Sequence, residues 1–213
     1  MNNRYRPHDL LEVLPHRGFF QVATPYDWGD LEENLREAPM VVVRRAQSEV
    51  DHLPVGIRGR DRHQRYAASM LRVAVRKVWS PEQLRTLEVV RPVPALQALR
   101  ALQRQWSTAP YLWGPTGSVG FELASGIATV KETSDLDLLV RCPEPLTQRE
   151  LGEIANDCDR LGCRVDVQIE TTSGAFALSE LLSKPEKLLL RTGQGPVLVR
   201  NPWQLFRPDR GLA

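Results

Sequence analysis

The sequence predicts an α+β protein: a small N-terminal α+β module followed by a C-terminal domain with a mixed sheet and helices packed on one face. Three observations support this fold class. Short apolar runs typical of strands occur before residue 60, a helix-start signal lies at residue 80, and helical and extended segments alternate from residue 111. We therefore place the N-terminal module at residues 1–79 and the C-terminal domain at residues 80–213.

The N-terminal module contains three predicted elements and a marked excess of positive charge. Residues 30–37 are predicted to form a helix, and the apolar runs at 40–43 and 53–57 are predicted to form strands. Residues 44–77 carry nine Lys or Arg and three acids, a local charge of +6, whereas the whole chain has a net charge of +2. This cluster favours binding of an anionic ligand.

Four arginines of this cluster, Arg44, Arg45, Arg58 and Arg60, are candidates for binding phosphate groups. Arginine suits this role because its planar guanidinium can bridge two phosphate oxygens. Two alternatives remain open at this point: a solvated basic face with no ligand, and a docking surface for an acidic partner.

The C-terminal domain shows clear helix-start signals. Ser80 is a predicted N-cap, Pro81 occupies the first helical position and Gln83 completes a capping box. Leu96, Leu99 and Leu102 recur at helical spacing within a predicted packing helix. The predicted elements are helices at 95–106, 118–126 and 148–161, and strands at 136–141, 164–169, 187–190 and 196–199, the last two joined as a hairpin through 193–195.

Several classes of protein are disfavoured by composition. No stretch approaches 18 consecutive apolar residues, so we expect no membrane association. The three cysteines lack the Cys-x-x-Cys spacing of zinc or redox sites, which favours inert thiols in a reducing cytoplasm. We also expect no binding to nucleic acid, because the pI is only about 8.5 and no alternation of basic and aromatic residues recurs.

Two aspartates at the start of a predicted strand are the strongest candidates for catalysis. Asp135 and Asp137 are two residues apart, so in a strand both carboxylates point to the same side. Two carboxylates roughly 5 Å apart repel by about 3 kcal/mol at an effective dielectric constant near 20. A divalent cation such as Mg²⁺ would remove this repulsion, and a solvated strand entrance is the alternative.

A third acid, Asp166, interrupts the apolar strand predicted at 164–169. A lone charge there would be expensive to bury without a partner, which favours a place for Asp166 in the same site. Glu170 is a competing third acid, and Gln168 shares the face of Asp166, so an exposed polar face is the alternative. Histidines show no metal-ligand spacing, and His8 is expected to be structural.

Gly117 and Ser118 lie where a predicted loop enters a helix. Unpaired backbone N–H groups and the helix dipole favour a bound phosphate at such a position, and glycine permits its close approach. Ser118 could donate its hydroxyl to a phosphate oxygen, or it could merely cap the helix.

Together these motifs resemble the nucleotidyltransferase superfamily typified by DNA polymerase β, which has Gly-Ser at a helix start, Asp-x-Asp on a strand and a third acid on a neighbouring strand. The chain is more closely similar to the phosphoribosyl-dephospho-coenzyme A transferase of malonate decarboxylase, also called malonate decarboxylase holo-acyl-carrier-protein synthase. The strings that carry this resemblance are WGPTGSVGFELASG at 113–126, SDLDLL at 134–139, VDVQ at 165–168, RPHDL at 6–10, VVVRR at 41–45 and VGIRG at 55–59.

The resemblance implies a nucleotidyltransferase-like C-terminal domain and a specific reaction. A phosphoribosyl-dephospho-coenzyme A group would move from its triphosphate precursor, triphosphoribosyl-dephospho-coenzyme A, to a serine of the apo acyl-carrier protein, and pyrophosphate would leave. Asp135, Asp137 and Asp166 would hold Mg²⁺, and Asp166 would help to deprotonate the serine. The alternatives are a nucleotidyltransferase that uses an ordinary nucleoside triphosphate, and a non-catalytic adaptor that binds the carrier protein.

Overall fold

The computed structural model describes residues 5–22, 28–59 and 64–204, and it has the predicted α+β fold with two six-stranded sheets. The N-terminal elements are β1 (Leu10–Val13), β2 (Phe20–Val22), α1 (Trp28–Glu37), β3 (Met40–Val43), β4 (His52–Arg58), β5 (Arg65–Leu71) and β6 (Val75–Trp79). The C-terminal elements are α2 (Pro81–Leu84), α3 (Pro94–Gln105), β7 (Leu112–Pro115), α4 (Gly117–Ser125), β8 (Leu136–Arg141), α5 (Gln148–Asp159), β9 (Val165–Glu170), β10 (Ala175–Ala177), α6 (Leu178–Leu182), β11 (Leu188–Thr192) and β12 (Gly195–Val199).

The N-terminal sheet is antiparallel, with the strand order β2-β5-β4-β3-β1-β6. Side chains alternate between its two faces. Leu31 and Leu35 of α1 cover one face, where they pack in a buried cluster with Val41, Val55 and Ile57. The opposite face carries Met40 and other residues that contact the C-terminal domain.

The C-terminal sheet has the strand order β12-β11-β10-β9-β8-β7, in which only β8 and β9 run parallel. Helices α3, α5 and α6 contribute to one buried cluster on one face of this mixed sheet, as predicted. The capping boxes at Ser80 and Thr147 are both present, so these two sequence signals mark helix starts correctly.

The two strands β8 and β9 divide their residues between the helices and the N-terminal module. Apolar residues from both strands enter the helix-covered core: Leu136, Leu138, Val140, Val167 and Ile169. By alternation, the opposite face carries Asp137, Leu139, Arg141, Asp166, Gln168 and Glu170. Ion pairs from Arg141 and Glu170 to the N-terminal module show that this second face is directed toward that module.

The contact between the two sheets combines an apolar cluster with a buried ionic network. Arg141 donates to Glu82 Oε1 at 2.6 Å, lies 3.6 Å from Asp9 Oδ1, pairs with Glu170 and donates to the Pro7 carbonyl at 3.3 Å. One guanidinium therefore joins the start of the N-terminal module to α2 and to β9. The apolar cluster beside it contains Leu10, Met40, Leu84 and Phe121.

Several elements were not predicted: β1, β2, β5, β6, β7, β10 and α6. Most are short, and the six strands among them depend on pairing with other strands of their sheet. The three cysteines are free, and burial raises the pKa of Cys142 and Cys158 to about 12, as expected for inert thiols. No helix in the described part of the chain is long and apolar enough to span a membrane.

Candidate active site

Two of the predicted catalytic acids lie side by side in the structure. Asp137 on β8 is the register partner of Asp166 on β9. Adjacent parallel strands are about 4.8 Å apart, and register partners point to the same face. Asp135 immediately precedes β8 and lies outside the paired strand, so the register places only Asp137 and Asp166 together.

Asp166 occupies this position for a different reason from the one predicted. Its side chain is 47% exposed and accepts a hydrogen bond from Arg164 Nη2 at 3.0 Å. The argument that an unpaired buried charge would require a site partner was therefore wrong. The register with Asp137, which the sequence does not show, places Asp166 beside the other acids.

Glu170, the competing third acid, is engaged elsewhere. It lies four residues beyond Asp166 on β9, roughly 13 Å along the strand. Its carboxylate forms ion pairs with Arg45 and Arg141. Glu170 thus belongs to the contact between the two sheets, not to the group of acids at the start of β8.

Gly117 brings the start of α4 directly against Asp137. Its φ angle is +59°, in the left-handed region that disfavours residues with a side chain. A Cβ atom at this position would overlap Oδ2 of Asp137, and the neighbouring Thr116 N–H donates to the Asp137 carbonyl at 2.8 Å. Only glycine allows this close packing of helix start and carboxylate.

Ser118 does not cap the helix, so that alternative interpretation was wrong. The helix begins at Gly117, its N-cap is Thr116, and no side chain caps it. The first N–H groups of an α-helix have no partner within the helix, and its dipole favours anions there. The helix start beside Asp137 therefore has the backbone features that favour a bound phosphate.

A cavity of about 90 Å³ lies between the two domains next to this helix start. It opens beside a groove of about 420 Å³, with which it shares Met40, Arg58 and Phe121. The cavity lining also includes His8, Leu10, Val42, Gly56, Arg65, Thr116 and Gly117. Both domains thus contribute to one elongated cleft that ends at the start of α4.

The structure separates the four arginines that were predicted to bind phosphate. Arg58 lines both parts of the cleft, and its guanidinium lies 5.0 Å from the centre of the Phe121 ring. Met40, at the start of β3, lines the cleft, whereas Arg44 and Arg45 follow the last residue of β3 and line a different groove of about 380 Å³. Burial lowers the pKa of Arg45 to about 10, and this side chain pairs with Glu170. Arg60 lies outside the described residues.

Two residues of the cleft were not predicted from the sequence. Arg65 is the register partner of Arg58, and both line the cavity. His8 also lines the cavity, although it was expected to be structural. The basic cluster could have indicated Arg65, whereas nothing in the spacing of His8 connects it with Gly117.

Comparison with known proteins agrees with these features. A family model described as the C-terminal domain of phosphoribosyl-dephospho-CoA transferase MdcG matches residues 83–202, and the model of the N-terminal domain matches residues 6–81. The chain belongs to the phosphoribosyl-dephospho-CoA transferase family. The family inferred from the motifs is thus confirmed.

Several relatives bear the name phosphoribosyl-dephospho-CoA transferase. Those of Pseudomonas putida, Pseudomonas syringae pv. tomato and Azotobacter vinelandii are 42%, 41% and 41% identical to this chain. The matches cover 96%, 93% and 93% of this chain and 98%, 93% and 94% of the relatives. No solved structure matches the chain.

The arrangement of Asp137 and Asp166 fits a Mg²⁺ ion that is bound jointly by the protein and its substrate. Mg²⁺ prefers oxygen ligands and is usually bound by one or two carboxylates together with substrate phosphates. Asp137 and Asp166 are two such carboxylates, beside a helix start suited to phosphate. Among the described residues, no group of three or more His, Cys, Asp or Glu side chains is arranged to hold a metal by itself. The site therefore fits an ion whose coordination the substrate completes.

Replacing Gly117 by alanine should disrupt the site more than the fold. The left-handed φ should cost about 1–2 kcal/mol of stability. The overlap with Oδ2 of Asp137 should displace that carboxylate, and misplacement by about 1 Å can lower turnover on the order of 100-fold. Steady-state kinetics and thermal unfolding measure the two effects.

Gly126→Ala is the matched control, because Gly126 ends the same helix with φ +74° and a Cβ there would meet nothing within 4 Å. It should lose similar stability without losing turnover. Equal activity losses in the two variants would contradict a specific role for the contact between Gly117 and Asp137.

Proposed function

We propose that this protein transfers a phosphoribosyl-dephospho-coenzyme A group from its triphosphate precursor to a serine hydroxyl of the apo acyl-carrier protein of malonate decarboxylase. Pyrophosphate is the second product. The observation that carries the proposal is the packing of Asp137 against Gly117, with Asp166 as the register partner of Asp137. This arrangement places phosphate-binding N–H groups beside carboxylates that can hold a metal ion.

Different residues of the cleft would bind different parts of a polyphosphate. The N–H groups at the start of α4 and the hydroxyl of Ser118 bind phosphate oxygens next to Asp137. Arg58 and Arg65, on the opposite wall, add positive charge. Asp137 and Asp166 would hold Mg²⁺ together with the substrate phosphates, and the ion when bound neutralises charge on the phosphate oxygens.

In the transfer, the serine oxygen forms a bond to the α-phosphorus while the bond from that phosphorus to the pyrophosphate oxygen breaks. The pyrophosphate leaves with the electron pair of the broken bond. The serine proton passes to a base, and we assign this role to the half-exposed Asp166 carboxylate. Holding the hydroxyl and the phosphate together supplies the orientation that the reaction needs.

A direct assay combines the protein, apo acyl-carrier protein, Mg²⁺ and triphosphoribosyl-dephospho-coenzyme A. We expect a mass increase on one serine of the carrier, with release of one pyrophosphate per carrier modified. Labelling with ATP alone would instead support a nucleotidyltransferase for ordinary nucleoside triphosphates. Tight binding of the carrier without any transfer would support the non-catalytic adaptor.

Arg58→Ala should chiefly weaken substrate binding. A hydrogen bond to a charged group contributes about 1.5–3 kcal/mol, so KM for the triphosphate should rise on the order of 10- to 100-fold. Arg36→Ala is the control, because Arg36 is 69% exposed on α1 and pairs only with Glu32 in the described structure. A loss confined to kcat in the Arg58 variant would count against phosphate binding by this side chain.

A further inference from the structure

His8 has an unusual backbone conformation that directs it to the cleft. Its φ angle is +73°, in the left-handed region, which costs a residue with a side chain about 1–2 kcal/mol. The turn around it is held by several hydrogen bonds: His8 N–H to Val43 O at 3.0 Å, Arg6 N–H to Asp9 Oδ2 at 2.8 Å, and Arg141 Nη2 to Pro7 O at 3.3 Å. The surrounding structure thus maintains a strained turn at a residue that lines the cavity.

His8 lines the 90 Å³ cavity together with Thr116, Gly117 and Arg58. This volume admits several water molecules or part of one sugar ring, but it is too small for a triphosphate. Apolar side chains, including Leu10 and Met40, line much of the remaining wall. A ligand group held here therefore lies next to the helix start at Gly117, and the side chains that can form hydrogen bonds to it are those of His8, Thr116, Arg58 and Arg65.

Gln168 supplies a second polar group beside the imidazole. It lies on the same face of β9 as Asp166, and its side chain interacts with that of His8. Its buried Oε1 atom accepts no hydrogen bond of normal geometry from any residue that the structure describes. Gln168 is not among the residues that line the cavity, so it would act on a ligand only through the imidazole of His8, which it helps to hold in place.

The charge state of His8 identifies the kind of ligand group that suits it. Burial, with the positive charges of Arg45, Arg141 and Arg191, lowers the pKa of His8 to about 4. The imidazole is thus neutral at pH 7 and offers one donor and one acceptor. A phosphate oxygen requires donors only, whereas a hydroxyl both donates and accepts.

We propose that His8, held in place by Gln168, is a positioning residue that binds a ribose hydroxyl of the nucleotide whose phosphates lie at Gly117. In a ribose 5-phosphate the nearest hydroxyl oxygen lies only four bonds from the ester oxygen, so the sugar can reach the small cavity while its phosphates contact the helix start. The larger adjoining groove then accommodates the rest of the nucleotide. This inference rests on the proposed function, because it assumes a ribosyl phosphate substrate.

A double-mutant cycle between protein and ligand tests the inference. The ligands are triphosphoribosyl-dephospho-coenzyme A and analogues that each lack one ribose hydroxyl, and the readout is the equilibrium Kd. For the wild-type protein, we expect one analogue to bind about tenfold more weakly than the intact nucleotide. In His8→Phe, the intact nucleotide and that analogue should bind equally well.

Two further variants separate positioning from folding. His8→Asn tolerates the left-handed turn and keeps a polar group, so it should retain the fold and part of the discrimination between the ligands. His16→Gln alters an exposed histidine that accepts a hydrogen bond from Gly18 N–H outside the cleft, and it should discriminate like the wild type. In His8→Phe, KM for the nucleotide should rise about tenfold with kcat within a factor of three.

The outcomes distinguish this inference from the proposed function. One outcome is that the wild-type protein transfers the group, but each analogue loses the same affinity relative to the intact nucleotide in the wild type as in His8→Phe. The assignment of His8 is then overturned and the proposed function stands. If the wild-type protein neither binds nor transfers the nucleotide, both are overturned. A lower unfolding temperature of His8→Phe with unchanged discrimination would show a purely structural role.

Discussion

Replacing Asp137 by asparagine should lower turnover at least about 1000-fold, equivalent to about 4 kcal/mol of transition-state stabilisation. The amide keeps the size of the carboxylate, so the packing against Gly117 is preserved. It loses the negative charge that would hold a metal ion between this residue and Asp166. The single-turnover transfer assay with apo acyl-carrier protein measures the effect.

The fold of this variant should remain intact. Two neighbouring carboxylates repel each other in the metal-free protein, so removing one charge should leave the unfolding temperature unchanged or slightly higher. Asp159→Asn is the matched control, since it alters an exposed aspartate at the end of α5 in the same domain. Full activity of the Asp137 variant would refute the assignment of the active site.

Replacing Arg141 by methionine should destabilise the protein by about 3–5 kcal/mol, because it leaves buried acids without their shared partner. The Arg141 side chain is only 7% exposed and contacts Asp9, Glu82 and Glu170. For a chain of this length, such a loss should lower the unfolding temperature by about 6–20 °C. Denaturant titration and calorimetry both measure it.

An exposed ion pair supplies the control for this prediction. Arg149 is 85% exposed and pairs with Glu153 four residues away, so Arg149→Met should leave the stability nearly unchanged. Because Arg141 joins the two domains, its variant should also show a broadened or divided unfolding transition. A loss as small as that of the Arg149 variant would contradict the importance of the buried network.

Local signals in the sequence were sufficient for some elements and insufficient for others. The capping boxes at Ser80 and Thr147 identified two helix starts, and β8 has the bounds predicted for it. These elements depend on neighbours within a few residues. β10 has only three residues, and β6 contains Arg76 and Lys77 at exposed positions. Both segments form strands because they pair with other strands, and such pairing leaves little pattern in the local sequence.

In the candidate site, too, some residues could be identified from the local sequence, and others only from the tertiary structure. Asp135 and Asp137 were recognisable because two acids at alternate positions of one strand must share a face. Asp166 was selected on an incorrect expectation of burial, and its place beside Asp137 follows from strand register. Arg45 belongs to the basic cluster in the sequence, but in the structure it forms an ion pair with Glu170.

The sequence by itself determined the fold class and the family, and it predicted a chemistry for the acidic residues, because periodicity, capping and short motifs are properties of neighbouring positions. Only the tertiary structure decided that the N-terminal module forms one wall of the cleft, with His8, Arg58 and Arg65 opposite Gly117. The physical reason is that two separate folding units meet there, and the burial and charge that define the cleft exist only after their sheets pack together.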